Sequence, residues 1–169
     1  MQMRNSLRGL LVLVLAFGFA ATHAAAAPID VKKIPTSFQD WDGTYNESLD
    51  SWSFMKFTTS DSGDDETSTF YVDSTSPGDV PSVDEYAKNL TKKDWLDFTF
   101  VWTAITSREK LPDGFVFVGM SKQYKDASAK PTPCFVVVRK FANTTLVCKG
   151  DAATPALLAE AIDFCKKLK

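Results

Sequence analysis

Four β-type runs follow one another in the second half of the chain, and this succession constrains the fold more than any other feature. They cover residues 98–107, 115–124, 134–140 and 144–149. The joints between them carry turn-forming residues, of which Leu111-Pro112-Asp113-Gly114 is the clearest example. Because consecutive strands with short connections pair antiparallel, this half predicts an antiparallel sheet.

Two further β-type runs, 52–58 and 67–73, predict a hairpin in the first half of the chain. The segment between them, 59–66, is rich in Asp, Ser and Gly and has the composition of a solvated turn. Residues 27–50 look irregular and contain Phe38, Trp41 and Tyr45. They predict an extended lead-in that docks through its aromatic side chains.

Two helices are marked by their N-terminal caps. Ser82-Val83-Asp84-Glu85 forms a capping box, and Thr154 followed by Pro155 marks the second start. One apolar stripe runs along the second helix, formed by Leu158, Ala161, Ile162, Cys165 and Leu168. The predicted class is α+β: a mainly antiparallel β-sheet with an N-terminal hairpin, covered by two helices as an α/β/α sandwich.

The N-terminal residues 1–26 predict a secretory signal peptide. Arg4 and Arg8 precede an apolar run, and small residues ending at Ala26 provide the cleavage site. The apolar run is about 10 residues, shorter than the roughly 20 that span a bilayer. We therefore expect a periplasmic or secreted protein, cleaved near Ala26 and without a stable membrane anchor, whose residues 27–169 form a single α+β domain.

The chain has one histidine, His23, and it lies within the predicted signal peptide. The mature protein is then free of histidine, which excludes histidine acid–base catalysis, Ser-His-Asp and Cys-His hydrolysis, and imidazole metal sites. The sequence predicts neither a cofactor nor a metal site, and it lacks the pattern of a nucleic-acid-binding protein.

Three cysteines in an exported chain predict one disulfide and one remaining thiol. Cys148 lies in a β-type run, and Cys165 lies on the apolar stripe of the helix that follows. If that helix folds back over its preceding strand, Cys148 and Cys165 meet, and this is the favoured pair. A Cys134–Cys148 bond across a hairpin and three free thiols are the alternatives; Cys134 could be free, buried or intermolecular.

Charge divides the mature chain. Residues 30–85 carry 13 acidic and 3 basic residues, whereas 86–169 carry 8 acidic and 14 basic ones. Such a division can create a polarised partner surface or can average out within one fold. The candidate partner-facing residues are Asp61, Asp64, Asp65 and Glu66 in the acidic turn, with Trp41 and Tyr45 in the lead-in.

Two catalytic arrangements remain possible without histidine. Ser53-Phe54-Met55-Lys56 fits a Ser-x-x-Lys pair, but residues three apart on a strand point to opposite faces. Asp94 and Asp97 could act as a carboxylate pair for glycoside hydrolysis, although surface placement is the simpler interpretation.

The order of elements resembles the PsbP-like superfamily of α/β/α sandwiches, which includes the PsbP and Ran-binding Mog protein types. The resemblance rests on the N-terminal hairpin, the helix opening at Ser82-Val83-Asp84-Glu85-Tyr86-Ala87, the Leu111-Pro112-Asp113-Gly114 turn and the closing amphipathic helix. It covers about residues 52–168 and implies a non-enzymatic binding or assembly factor.

The functional prediction is an exported, non-enzymatic binding or accessory protein that acts through protein–protein contacts. Its partner is expected to be another exported protein, and its oligomeric state is left open. One alternative is a periplasmic immunity protein whose acidic turn, Asp61 to Glu66, blocks the basic active site of a secreted toxin. The other is a small hydrolase using a Ser-Lys or carboxylate pair.

Overall fold

The structure, a computed structural model, describes residues 27–92, 100–123, 128 and 130–169. Its main element is one antiparallel sheet, and the fold belongs to the α+β class. A 3-10 turn, Val31–Lys33, precedes the sheet, and two helices accompany it. The strands are β1 (Ser37–Phe38), β2 (Trp41–Asn46), β3 (Ser51–Thr59), β4 (Asp65–Thr75), β5 (Phe100–Leu111), β6 (Gly114–Gln123), β7 (Thr132–Lys140) and β8 (Thr145–Asp151), and the helices are α1 (Val83–Leu90) and α2 (Pro155–Lys167).

The sheet is made of two meanders joined along one line. Its spatial order is β1-β2-β3-β4-β8-β7-β6-β5, and every neighbouring pair is antiparallel. The chain runs through β1 to β4, crosses to the far edge through α1, and returns strand by strand. The two meanders meet where β4 pairs with β8 over the register Thr69↔Asp151 to Thr75↔Thr145.

Alternation along the strands gives the sheet two faces, which we call face A and face B. On β7, Phe135 and Val137 belong to one core, and Cys134, Val136 and Val138 belong to the other. Helix α2 packs on face A with its buried residues Leu158, Ala161 and Cys165. Helix α1 packs on face B, where Tyr86 lies 5.3 Å from the ring of Phe115.

Helix α2 begins and ends as elementary capping predicts. The Thr154 side chain accepts a hydrogen bond from the Leu157 amide, and Pro155 occupies the first helical position, where no amide proton is needed. At the other end the Arg139 guanidinium donates to the carbonyl oxygens of Cys165 and Lys166. Arg139 also forms a mostly buried ion pair with Asp113, 2.6 Å apart, so one side chain joins the β5–β6 turn to α2.

Stacked aromatic rings fill the space between α2 and the first half of the sheet. The ring of Phe164 lies 4.0 Å from Phe38, which in turn stacks on Trp41 at 5.8 Å. Phe54 and Phe70 stack at 4.8 Å in the sheet below. Gly43 makes room for this packing, since a Cβ there would lie 2.5 Å from the ring of Phe54.

The predicted extended lead-in, residues 27–50, is wrong in its main part. Trp41–Asn46 is a full strand, β2, paired with β3, and Ser37–Phe38 adds a short edge strand, β1. Sequence patterning missed β2 because Gly43 and the polar residues around it mask the alternation of Trp41 and Tyr45. The segment before it is held by Asn143, whose amide exchanges two hydrogen bonds with the backbone of Ile29.

Trp41 is not the partner-facing residue that the sequence predicted, because its side chain is fully buried. Its indole nitrogen donates to Glu160 on α2 at 3.0 Å. The same carboxylate accepts from Lys56 at 3.0 Å, and Lys56 also donates to the Gln39 carbonyl. A large aromatic ring that satisfies its polar atom inside the fold is ordinary core behaviour.

Other predictions from the sequence are confirmed. The predicted hairpin of residues 52–58 and 67–73 exists as β3 and β4, although β1 and β2 precede it in the sheet, and both helices start at the predicted caps, Ser82 and Thr154. The four later strands are present, with β5 beginning at Phe100 and ending at Leu111, beyond the predicted limit. Across the described parts of the chain, neither helix is long and apolar enough to cross a bilayer.

The Lys56–Glu160–Trp41 group makes a testable contribution to stability. Partial burial raises the pKa of Glu160, but the hydrogen bonds from Lys56 and Trp41 and the charge of Lys56 lower it overall. A lowered folded-state pKa stabilises the protein above the unfolded pKa, and this stabilisation is lost as the pH falls through the folded value. We expect Glu160→Gln to reduce the free energy of unfolding by about 1–2 kcal/mol at neutral pH.

The difference between wild type and Glu160→Gln should shrink below about pH 4, as measured by urea unfolding across the acidic range. The matched control is Asp163→Asn, which removes an exposed pair with Lys167 one turn away on the same helix. That variant should reduce the free energy of unfolding by less than about 0.5 kcal/mol. A difference that persists unchanged at low pH would contradict the role assigned to the Glu160 charge.

Candidate functional site

The acidic turn is shorter and more ordered than the sequence predicted. Asp65 and Glu66 are the first residues of β4, so the connection is residues 60–64. The Gly63 amide donates a hydrogen bond to the Ser60 carbonyl oxygen, and the Ser60 amide donates one to the Asp64 carbonyl oxygen. The Ser62 hydroxyl donates to the Asp64 carboxylate at 2.7 Å. Asp61, Asp64 and Asp65 are exposed, whereas Glu66 is half-buried.

Cys148 and Cys165 face each other beneath α2. Cys148 is a buried residue of β8 on face A, and Cys165 is fully buried on the helix. Burial and a hydrogen bond to the Cys148 side chain raise the pKa of the Cys165 thiol well above its usual value. Both are thiols in the structure, as is Cys134, so the disulfide remains a prediction while the helix fold-back it depends on is present.

Cys134 lies on the opposite face, beside Asp151 in the neighbouring strand. Burial raises the pKa of the Cys134 thiol to about 12, although a hydrogen bond with Ser121 opposes the shift. Burial also raises the pKa of the Asp151 carboxyl. A thiol with so high a pKa is protonated at neutral pH and makes a poor nucleophile.

Tyr45, the second aromatic residue predicted to face a partner, is half-buried and hydrogen-bonded within the fold. Its hydroxyl donates to Asp50, which also accepts from Ser74. These bonds hold the pKa of Asp50 below its usual value, and the hydrogen bond to Asp50 raises that of Tyr45 to about 12. Asp50 borders a polar cleft of about 460 Å³. Because its carboxylate already accepts two hydroxyl groups, the arrangement fixes the β2–β3 turn.

The Ser-Lys pair considered for a hydrolase does not form. Ser53 and Lys56 lie on opposite faces of β3, and Lys56 is bound to Glu160 and the Gln39 carbonyl on face A. The other proposed pair, Asp94 and Asp97, lies outside the described residues. Within the described part of the chain, no three His, Cys, Asp or Glu side chains converge as metal ligands.

The most distinctive surface is the part of face B that lies over β2, β3 and β4. Helix α1 packs on Trp102, Phe115 and Phe117 at the other side of this face. Over the first meander, by contrast, Met55, Phe57 and Tyr71 are solvent-exposed at 42%, 69% and 46%. We call this surface, made of Asp42, Thr44, Met55, Phe57, Asp65, Thr69 and Tyr71, the open half of face B.

Strand register places these side chains next to one another. Met55 lies between Asp42 on β2 and Thr69 on β4, and the same row continues to Asp151 on β8. Phe57 lies two residues further along β3, on the same face, and Thr59 beyond it pairs with Asp65. Exposed carboxylates therefore flank the apolar side chains at Asp42 and Asp65, and Asp151 lies two strands from Met55 in the same row.

Beside this surface, on β8, lies Lys149, which is opposite Tyr71 and forms an ion pair with Asp73 at 3.0 Å. Asp42 and Asp65 are exposed, and no ion pair within the described residues involves either one. The surface thus combines exposed apolar side chains with uncompensated negative charge.

No protein-family model, curated protein or solved structure matches this chain. The candidate site therefore rests on the physical features of the chain itself.

Sequence reasoning missed Met55, Phe57 and Tyr71. A signal was present, because β3 carries large apolar residues at successive positions, Trp52, Phe54, Met55 and Phe57, that belong to both faces. A strand with a core on one side needs apolar residues on that side alone. The additional apolar residues on the other side, Met55 and Phe57, therefore indicated a second contact surface. Of the four acidic residues predicted in the turn, Asp61, Asp64 and Asp65 are exposed and Glu66 is half-buried, and Asp65 belongs to the open half of face B.

The predicted disulfide can be tested on protein exported to an oxidising compartment. We expect peptide mapping under non-reducing conditions to recover Cys148 linked to Cys165, with Cys134 alkylated only after denaturation because it is buried. Closing a loop of about 17 residues should raise the free energy of unfolding by roughly 3 kcal/mol relative to the reduced protein.

The Cys134→Ser variant provides the control, since it should leave the cross-link and its stabilising effect in place. A peptide linking Cys134 to either partner, or three free thiols in the exported protein, would refute the assignment.

Proposed function

We propose that the protein is an exported, non-enzymatic binding or accessory protein whose contact surface is the open half of face B. The observation that carries this proposal is the exposure of Met55, Phe57 and Tyr71 on the same face of two adjacent strands, with Tyr71 diagonal to Met55. Contiguous exposed apolar side chains bordered by polar residues are typical of protein–protein contact surfaces.

The dimensions of the fold support this assignment. Eight strands about 4.8 Å apart make a sheet roughly 34 Å wide. Helix α1 has eight residues, so it is about 12 Å long, and its diameter of about 10 Å covers two to three strands. In the α/β/α sandwich that we propose as the architecture, the described residues therefore leave one outer layer incomplete, and a partner can complete it.

The two ends of the sheet offer poorer alternatives as contact surfaces. Strand β5 is an outer strand, but it has two register shifts against β6 and exposed charged residues at Arg108, Glu109 and Lys110. Bulges and charges are the usual means by which an edge is protected from pairing with another chain. At the opposite edge, β1 has only two residues.

The proposed export and the PsbP-like resemblance point to the same role. A signal peptide over residues 1–26 would bring the protein to the periplasm or outside the cell, where an exported partner is available. Members of the PsbP-like superfamily act mostly as binding or assembly factors, which the resemblance implies for this chain as well.

Site-specific photo-cross-linking tests the proposal directly. A photoreactive phenylalanine analogue at position 57 should form adducts with a partner in the envelope fraction of the source organism. The matched control carries the analogue at position 49, because Leu49 is as exposed as Phe57, at 69%, but lies in the β2–β3 turn outside the open half of face B.

An adduct formed from position 57 and not from position 49 is the expected result. Competition by unlabelled wild-type protein, but not by a Met55→Thr/Phe57→Thr variant of unchanged circular dichroism, should remove it. Equal labelling from both positions, or from neither, would contradict the proposed surface.

A further inference from the structure

We infer that the partner of the open half of face B is a cationic amphipathic segment of another protein, one that presents lysine or arginine side chains around an apolar stripe. This inference rests on the proposed function and specifies the chemistry of the partner. Two observations carry it: the exposed apolar side chains and the exposed carboxylates around them that form no ion pair within the described residues. A negatively charged occupant would be repelled by these carboxylates.

The apolar side chains define where the partner's apolar stripe lies. Met55 and Phe57 are two residues apart on one strand, and Tyr71 lies on β4. Their side chains emerge from a continuous hydrogen-bonded ladder, so a partner meets them on the face of a sheet. An amphipathic helix is well suited to such a surface, because its apolar stripe can cover neighbouring strands as α1 does on the other side of the face.

The carboxylates define the charge of the partner. Asp42 lies beside Met55 on the side of the sheet edge, and Asp65 lies beyond Phe57 at the start of β4. Asp61 and Asp64 extend the negative charge into the adjoining turn, whose hydrogen bonds hold it in a defined shape. Lysine or arginine side chains flanking an apolar stripe would meet these groups as the stripe contacts Met55 and Phe57.

A second copy of this chain is a poor occupant of the same surface. Two open halves placed face to face would bring two surfaces together that both carry exposed carboxylates, Asp42 and Asp65 among them. Like charges placed opposite one another across an interface disfavour association. The negative charge of the surface thus favours a basic partner over a second copy of this chain.

The test uses a defined probe in place of the unidentified partner. A fluorescein-labelled helical peptide of leucine and lysine at amphipathic spacing is titrated with the protein purified from its source, and binding is followed by anisotropy. A second peptide of identical spacing carries glutamate in place of lysine. We expect the lysine peptide to bind and the glutamate peptide to bind at least about tenfold more weakly.

Variants locate the binding. Asp42→Asn/Asp65→Asn and Met55→Thr/Phe57→Thr should each weaken binding of the lysine peptide about five- to tenfold. The matched control, Asp84→Asn/Glu85→Gln, removes two exposed charges from α1 and should change binding less than about twofold. Raising the salt concentration from about 0.05 M to about 0.5 M should weaken binding of the lysine peptide to the wild-type protein. It should also reduce the difference in affinity between the wild type and Asp42→Asn/Asp65→Asn.

The outcomes separate this inference from the proposed function. Equal binding of the two peptides, or equal losses in the face and control variants, would overturn the inference even if position 57 still cross-links to a partner. A dimer of the wild-type protein in sedimentation experiments that becomes a monomer in Phe57→Thr would also overturn the inference. That result would show that a second copy of the chain occupies the surface. Failure of the cross-link from position 57 would instead remove the proposed surface itself.

Discussion

The structure depends above all on the packing of α2 against the aromatic side of the sheet. Phe164 on the helix stacks on Phe38, and these rings lie over Phe54 and Phe70 of β3 and β4. The same helix is held at its other contacts by Glu160 with Lys56 and by Arg139 at its last carbonyls. Because it contacts elements from β1 to β5, it unites both meanders on one face. Most of the buried large side chains serve this single interface.

Much of this arrangement could be predicted from local sequence signals, but only where those signals were strong. The caps at Ser82 and Thr154 and the stripe ending at Leu168 define both helices, and turn residues separate the later strands. Strand β2 escaped prediction because its regularity is set by pairing with β3 and by the ring of Phe54 over Gly43. These interactions are made with a second strand, so the residue pattern of β2 by itself holds little of the information.

The functional surface was harder to predict than the fold for a related reason. Whether an apolar strand residue is buried depends on what covers its face, and α1 covers only the second meander. From the sequence alone, Trp41 was as plausible a surface residue as Phe57. The distinction comes from Glu160, which receives the Trp41 indole inside the fold, whereas no described helix lies over Phe57. Partner surfaces of this kind become visible once tertiary packing has been assigned.

The pairing of β4 with β8 has a consequence for the order in which the protein can fold. Each meander is built from neighbouring hairpins, whose short loops close at little entropic cost. The joint between the meanders, in contrast, brings Thr75 to Thr145 and Thr69 to Asp151, so it encloses about 70 to 80 residues. Contacts so distant in the chain form slowly, which places the protein among the slower-folding small domains. Helix α2 follows all eight described strands in the chain and buries the face that both meanders share, so this face cannot be covered until α2 has been synthesised.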